Sequence, residues 1–432
     1  STIRATDDRQ ATSGHRYLSI QNGKAMKKQI LLLAAGAILL TGCKDDNQGP
    51  GPLKEQVFEG RGRLEIDYND SEIAGKRVTV TPLDDMKARI TFDSQVDLST
   101  LNEAFKSIPP FPGPGVLPGS PSITLDLPLG TDGNEYTFSY KGETDFVTYT
   151  LHGEFDNNKM DVDFSDVKLK NQTFAGGAWA PMPADKNPLS DNQPFHIVWE
   201  TSAPIEIPGL EGTVQDILRT LVNVPFIPAY NNTATMSLTQ VIANGLKTLG
   251  MSVDGNMPVT YLQTANGAST FASVPFGTFQ YVPLSQYAMK LYTNPTDLLT
   301  LVLLNNTNRD PNIPDHPFGA PTRADGTLVD ILMQMANTLK VMVAEGLPLA
   351  CVRQDNTMAL YANSELLLPL LKGYIVPILQ NPVTRGIVED YIDNNEALAQ
   401  YKTAVMLLYD GLPLILDQTS KIELGLNFVK AK

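Results

Sequence analysis

Few residues in this chain have the type and spacing that chemistry needs. Past residue 42 the histidines are His152, His196 and His316, far apart, and none is spaced as a zinc ligand pair would be. No Gly-x-Ser-x-Gly elbow, phosphate loop or dinucleotide fingerprint is present. Asp161, Asp163 and Asp166 suggest a cation or glycosidase cluster. However, Asp161 and Asp163 alternate with Val162 and Phe164, which is the pattern of a strand with one wet face. The polar stretch 305–326, with Asn306, Asp310, Asn312, Asp315 and His316, lacks the spacing of an EF-hand and reads as a solvated loop. Cys351 lies in the apolar run Leu347–Val352 and reads as a buried, inert thiol. The expectation is therefore no catalytic residue, no metal ligand and no cofactor.

The most apolar stretch after residue 43 is Leu366–Leu379, broken by Pro369, Lys372, Gly373 and Pro377. It is too short and too interrupted to span a membrane. It reads first as a core helix. A sharper reading makes it one wall of an apolar pocket formed by Met333, Met335, Leu367, Leu371, Tyr374 and Ile375. Tyr136, Phe138, Tyr140 and Tyr149 fall on strand patterns, where core packing is the default and sugar stacking a weak signal.

Cys43 has a clearer context. Met26, Lys27 and Lys28 give a basic start, Ile30–Leu40 is uncharged, and Leu40-Thr41-Gly42-Cys43 closes the run with small residues. A run of that length is the apolar core of a secretory signal. Its ending resembles the lipobox of bacterial lipoproteins, and Lys44-Asp45-Asp46-Asn47 resembles the acidic export signal of surface lipoproteins of the Bacteroidetes. With the β-rich first half and α+β second half described below, the chain resembles the uncharacterised surface lipoproteins of gut Bacteroidetes. That resemblance implies a lipid on Cys43, export directed by Lys44, Asp45 and Asp46, and a place on the outer membrane facing the exterior. It carries no activity with it. Residues 1–25 read as an upstream extension, 26–42 as the signal, and 43–54 as a tether containing Gly49-Pro50-Gly51-Pro52.

Setting aside residues 1–42, with six basic and two acidic residues, takes the formal charge from −14 to −18. Such a surface repels phosphate backbones, so nucleic acid is not an expected partner. Apolar residues make up 42% of the chain, enough for packed cores.

The chain between these features reads as α+β. Over 55–170 the period-two runs, such as Arg77–Thr81, Val147–Leu151 and Met160–Phe164, predict an antiparallel β domain, barrel- or sandwich-like. Asp156-Asn157-Asn158-Lys159 predicts a hairpin turn, Leu98–Phe105 a helix, and the Pro/Gly run 109–115 a loop. Residues 171–195, rich in Gly, Pro, Asn and Asp, read as a linker.

Residues 196–432 then carry three related segments, around Asp254-Gly255, Glu345-Gly346-Leu347-Pro348 and Asp410-Gly411-Leu412-Pro413. Each follows a helical pattern. Leu238, Val241, Ile242 and Leu249 precede the first, with Ser237 and Gln240 as a capping box; Leu328–Val343 precedes the second; Leu398, Tyr401, Val405 and Leu408 precede the third. Each therefore predicts helix, stop, strand, turn, strand. The expected role is a non-enzymatic binding module for an apolar small molecule, a lipid or a glycan. Alternatives are an assembly partner of an outer-membrane protein complex and, third, a hydrolase with a site assembled from distant residues.

Overall fold

The computed structural model describes residues 49–100, 106, 108–204, 212–228, 235–265, 268–295 and 340–431. The signal, Cys43, Lys44, Asp45, Asp46, the loop 305–326 with His316, most of the helical pattern 328–343, and Met333 and Met335 lie outside them. From Gly49 on, the chain forms one compact unit. It is a mixed α+β structure, mostly antiparallel sheet, with helices concentrated late in the chain.

Alternating burial builds the first half. In chain order its strands are β1 (Gln56–Glu59), β2 (Leu64–Tyr68), β3 (Ser71–Glu72), β4 (Arg77–Asp84), β5 (Lys87–Asp93), β6 (Gln95–Val96), β7 (Phe111–Pro112), β8 (Ile123–Pro128), β9 (Gly130–Asp132), β10 (Glu135–Glu143), β11 (Val147–Phe155) and β12 (Met160–Leu169). They form a four-stranded sheet, β1-β4-β5-β8, and a six-stranded sheet, β3-β2-β12-β11-β10-β9. The apolar faces of the two share one core. Phe92 meets Phe164 edge-on at 5.2 Å between ring centres, and Phe58 meets Phe155 at 5.9 Å. Each ring so buried contributes roughly 1.5–3 kcal/mol. One pairing departs from the expectation: β2 and β12 run parallel, from Leu64↔Met160 to Tyr68↔Phe164. Three strands of the other sheet, β4, β5 and β8, lie between them along the chain together with β9–β11, which gives the connection length that parallel neighbours require.

The Pro/Gly run is loop except at Phe111–Pro112, which form the short strand β7 on β6, and its later part is not on the surface: residues 113–118 are buried. Proline carries no N–H, so such a loop has few donors to satisfy. Its carbonyls are met by side chains. Lys76 Nζ and Ser94 Oγ each donate to Pro114 O at 2.7 Å, and Gln280 Nε2 donates to Val116 O at 3.1 Å. A Cβ on Gly115 would collide with the carbonyl of Ser120, so only glycine fits there.

The second half continues with β13 (Ala178–Pro181), β14 (Phe195–Thr201), α1 (Val214–Leu221), β15 (Ile227–Pro228), β16 (Thr235–Met236), α2 (Leu238–Gly245), β17 (Leu246–Gly250), β18 (Val259–Ala265), β19 (Ala268–Ser273), β20 (Phe279–Pro283), β21 (Ala288–Thr293), β22 (Leu347–Gln354) and β23 (Thr357–Ala362). Helices α3 (Ser364–Leu370), α4 (Val376–Leu379), α5 (Pro382–Asp393), α6 (Glu396–Ala399) and α7 (Lys402–Asp417) follow, and β24 (Thr419–Lys430) ends the described chain. The large sheet runs β19-β18-β17-β13-β24-β23-β22-β21-β20, with β14 also on β24. It curls into a half-barrel. Tyr281 N–H donates to Gly255 O at 2.8 Å and Met257 N–H to Phe279 O at 3.0 Å, tying β20 to the segment that enters β18.

Three expectations change here. The segment 171–195 is not a free linker: it carries β13, paired to both β17 and β24, and Trp179 on that strand is fully buried. The first helix stops at Gly245 instead of reaching Leu249, because Leu246 turns extended (φ −92°, ψ 121°) and β17 begins. The third unit does not form. Helix α7 runs straight through Gly411-Leu412-Pro413, and β24 is one unbroken strand with no turn at Thr419-Ser420. An interior proline costs a helix about 3 kcal/mol. Packing Ile415 and Leu416 against Trp199 and Ile422 outweighs it. At the second position, helical residues 340–345 stop at Gly346 (φ 79°), and β22 and β23 form a hairpin turning at Asp355-Asn356.

Candidate functional site

A trough of about 840 Å³ opens on the wet face of the six-stranded sheet. Two turns fix the strands that line it. Between β10 and β11, Thr144 Oγ1 accepts from the N–H groups of Phe146 and Val147 at 3.2 and 3.1 Å. Between β11 and β12, Asp156 Oδ1 accepts from Asn158 and Lys159 N–H at 2.6 and 2.8 Å. Those N–H groups hold the Asp156 carboxyl below its usual range, the Asn158 bond contributing most.

With the turns fixed, register places side chains in two rows across the strands. Ser139 is opposite His152, His152 opposite Asp163, and Asp163 opposite Asp67. One step nearer the Asp156 turn, Thr137 is opposite Glu154, Glu154 opposite Asp161, and Asp161 opposite Glu65. Pro128 and Gly130 close the rim at the β9 edge. Lys159 Nζ bridges Asp161 at 2.7 Å and Glu65 at 3.4 Å, and the Asp161 bond is the chief cause of its raised pKa. The field of the face is negative. Glu135, at its border, is pushed up first by burial, then by Glu154, Asp156, Asp161 and Asp132.

Asp161 and Asp163 thus stand on the wet face opposite the buried Val162 and Phe164. The alternation in the sequence carried that much. It did not reveal that Glu65, Asp67, Glu154, His152 and Ser139 join them, since those neighbours come from register across four strands. A Ser–His–Asp row invites comparison with hydrolases. Ser139 and His152 do not hydrogen-bond to each other, and the N–H groups beneath them are engaged in the β10–β11 and β11–β12 ladders. An acyl-transfer site needs free donors aimed at the developing oxyanion. What this face offers is hydrogen-bond acceptors and hydroxyls. Among the described residues no group of three or more His, Cys, Asp or Glu is placed to hold a metal ion.

His196 lies elsewhere, on β14. Its Nε2 is 2.9 Å from Glu423 Oε2, and its ring stacks on Tyr361 at 4.3 Å between ring centres. Gly425 lies between them in register, and a Cβ there would collide with Leu360 O. Lys421 Nζ sits 3.1 Å from Glu423 Oε1. Burial, then Glu423, raises the Tyr361 phenol. This cluster clamps three strands across a glycine.

Of the apolar pocket read from the sequence, Met333 and Met335 lie outside the described residues, and only the other four can be placed. In α3, the wider helical turn Leu371–Ile375 and α4, no residue is fully buried. Leu367 and Leu371 lean on the cluster of Trp199, Val214 and Ile415, while Tyr374 and Ile375 lie outside it. The core-helix reading holds in part: Leu367, Leu368, Leu371 and Val376 pack against the core of Trp199, Ile415 and Ile422, while no residue of the stretch is fully buried. No single helix among the described residues is long and apolar enough to cross a membrane. No family model, no curated protein and no solved structure matches the chain.

Proposed function

We propose that this protein is a lipid-anchored surface binding protein, and that the trough on the six-stranded sheet is where it holds a glycan. The observation that carries this reading is the trough's composition: carboxylates, hydroxyls and one imidazole on rigid strands, open to solvent. Carboxylates accept strong, charge-assisted bonds from sugar hydroxyls. Rigid strands hold such acceptors in place, which lowers the ordering cost of binding. The negative field disfavours anionic sugars, so the ligand is neutral or amine-bearing.

The lipobox resemblance supplies the anchor at Cys43, and the resemblance to surface lipoproteins of the Bacteroidetes supplies the outward-facing placement. Gly51 O accepts from Tyr136 Oη at 2.9 Å, which fastens the end of the tether to the core-facing side of β10. We read the hairpins β18–β19 and β22–β23 as two copies of one unit, a finer description than mixed α+β. A second reading, an assembly partner in an outer-membrane complex, rests on the leucines of α3 and α4, which are only partly buried.

The test is a screen of neutral, amine-bearing and acidic glycans against residues 43–432 and against a Glu154→Gln/Asp161→Asn double variant. Binding of neutral or amine-bearing glycans that weakens at least tenfold in the variant supports the proposal. Equal binding by both proteins would remove the trough as the site.

A further inference from the structure

The trough is longer in one direction than in the other, and that shape selects a ligand. Its lining reaches across the sheet from β2 to the β9 edge but only from one row of wet-face residues to the next along each strand. Across the four strands β2, β12, β11 and β10 the length is about 14 Å, three strand spacings of ~4.8 Å. Along a strand the two rows stand only about 7 Å apart, two residues of rise. A groove with these proportions holds a chain that lies at right angles to the strands.

The two rows also differ from end to end. At the β10 end they present hydroxyls, Thr137 and Ser139. At the β2 end they present carboxylates, Glu65 and Asp67, with Lys159 compensating part of the charge. A pyranose ring between the rows would offer hydroxyls from both of its edges, one edge to each row. Successive rings would advance by about one strand spacing, so the row length accommodates about three units. The negative field set by Glu154 and Asp161 excludes uronic acids and sulfated sugars from the middle position.

Resting on the glycan reading of this site, we propose that the trough takes a linear, uncharged oligosaccharide of about three units, laid across the strands, with Thr137 and Asp67 at its two ends. The site is thus tuned to the interior of a neutral polysaccharide and not to a terminal monosaccharide.

The experiment is a calorimetric titration of residues 43–432 with maltooligosaccharides, cello-oligosaccharides and linear manno-oligosaccharides of one to six units. Thr137→Ala and Asp67→Asn variants, both checked for unchanged melting temperature, are titrated alongside. The expected result is that Kd in one series falls at least tenfold between one unit and three, then stays flat to six. Each end variant should weaken the three-unit ligand three- to tenfold while changing the one-unit ligand less than twofold. A monosaccharide binding as tightly as the hexamer overturns the extended site and leaves the glycan reading standing. Affinity that keeps climbing to six units overturns the length. Absence of binding by all three series overturns the neutral-chain proposal, and the glycan reading then falls only if the amine-bearing glycans of the screen fail as well.

Discussion

Cys351 lies on β22 with none of its surface exposed, and burial pushes its thiol from 9.0 up to about 12. At neutral pH it is a protonated, apolar side chain, and the folded protein should not react with a thiol reagent until it unfolds. The raised folded value also fixes a sign. Stability linked to this group is complete below the unfolded thiol's pKa and is lost as pH rises from about 9 toward 12, because the unfolded chain releases its proton first. Urea titrations at pH 8 and pH 10.5 should show a larger loss for wild type than for Cys351→Ala. Tyr149 and Tyr292, raised by burial to about 12, add to the alkaline loss equally in both proteins. An identical loss in both would show that the thiol is not held protonated by the fold.

Helix α7 is where local signals and tertiary packing disagree most. Acid, glycine and proline in succession normally end a helix, yet Lys402–Asp417 continues through them. Replacing Pro413 by Ala removes the ring's clash with the preceding turn and restores an N–H. The expected outcome is a gain of about 1–3 kcal/mol, read as a rise in the urea midpoint at constant slope. A loss would mean that Pro413 makes a contact worth more than the helix bond. The same contrast explains which elements were legible. Ser237 and Gln240 form the capping box that their spacing suggests, with Gln240 N–H donating to Ser237 Oγ at 3.2 Å and Ser237 N–H donating to Gln240 Oε1 at 2.8 Å. The Asp156 turn and the alternating strands of the first half were legible too, because each is decided by neighbours in the chain. The parallel β2–β12 pair, the β13 strand inside a loop-like composition, and the rows of the trough were not. The first two depend on partners about 70 to 250 residues away, and the rows, built mostly from neighbouring hairpins, are completed only by β2 through that same distant pairing, which one sequence does not reveal.

Across the whole molecule, the two halves divide by composition but not by core. The cluster that contains Phe92 and Phe164 also contains Trp179, Tyr281 and Met289. Tyr68 Oη donates to Asp254 O at 2.6 Å, and the buried loop 113–118 takes hydrogen bonds from Lys76 on one side and Gln280 on the other. A fragment ending at residue 170 would expose Tyr68, Val116 and Leu117 to water. It should bind a hydrophobic dye and lack a sharp thermal transition, whereas residues 43–432 should melt cooperatively without dye binding. A fragment that melts sharply by itself would show the first half to be an independent domain. The central claim is that the trough, and no other surface, holds the ligand. Carboxyl footprinting read by mass spectrometry, with and without the tightest-binding glycan of the screen, tests it most directly. Protection of Glu65, Asp67, Glu154, Asp161 and Asp163, with no change at Asp126, Glu389 or Asp410, is the predicted result. Protection confined to the helices after Ser364, or unchanged labelling in the trough under saturating ligand, would contradict it.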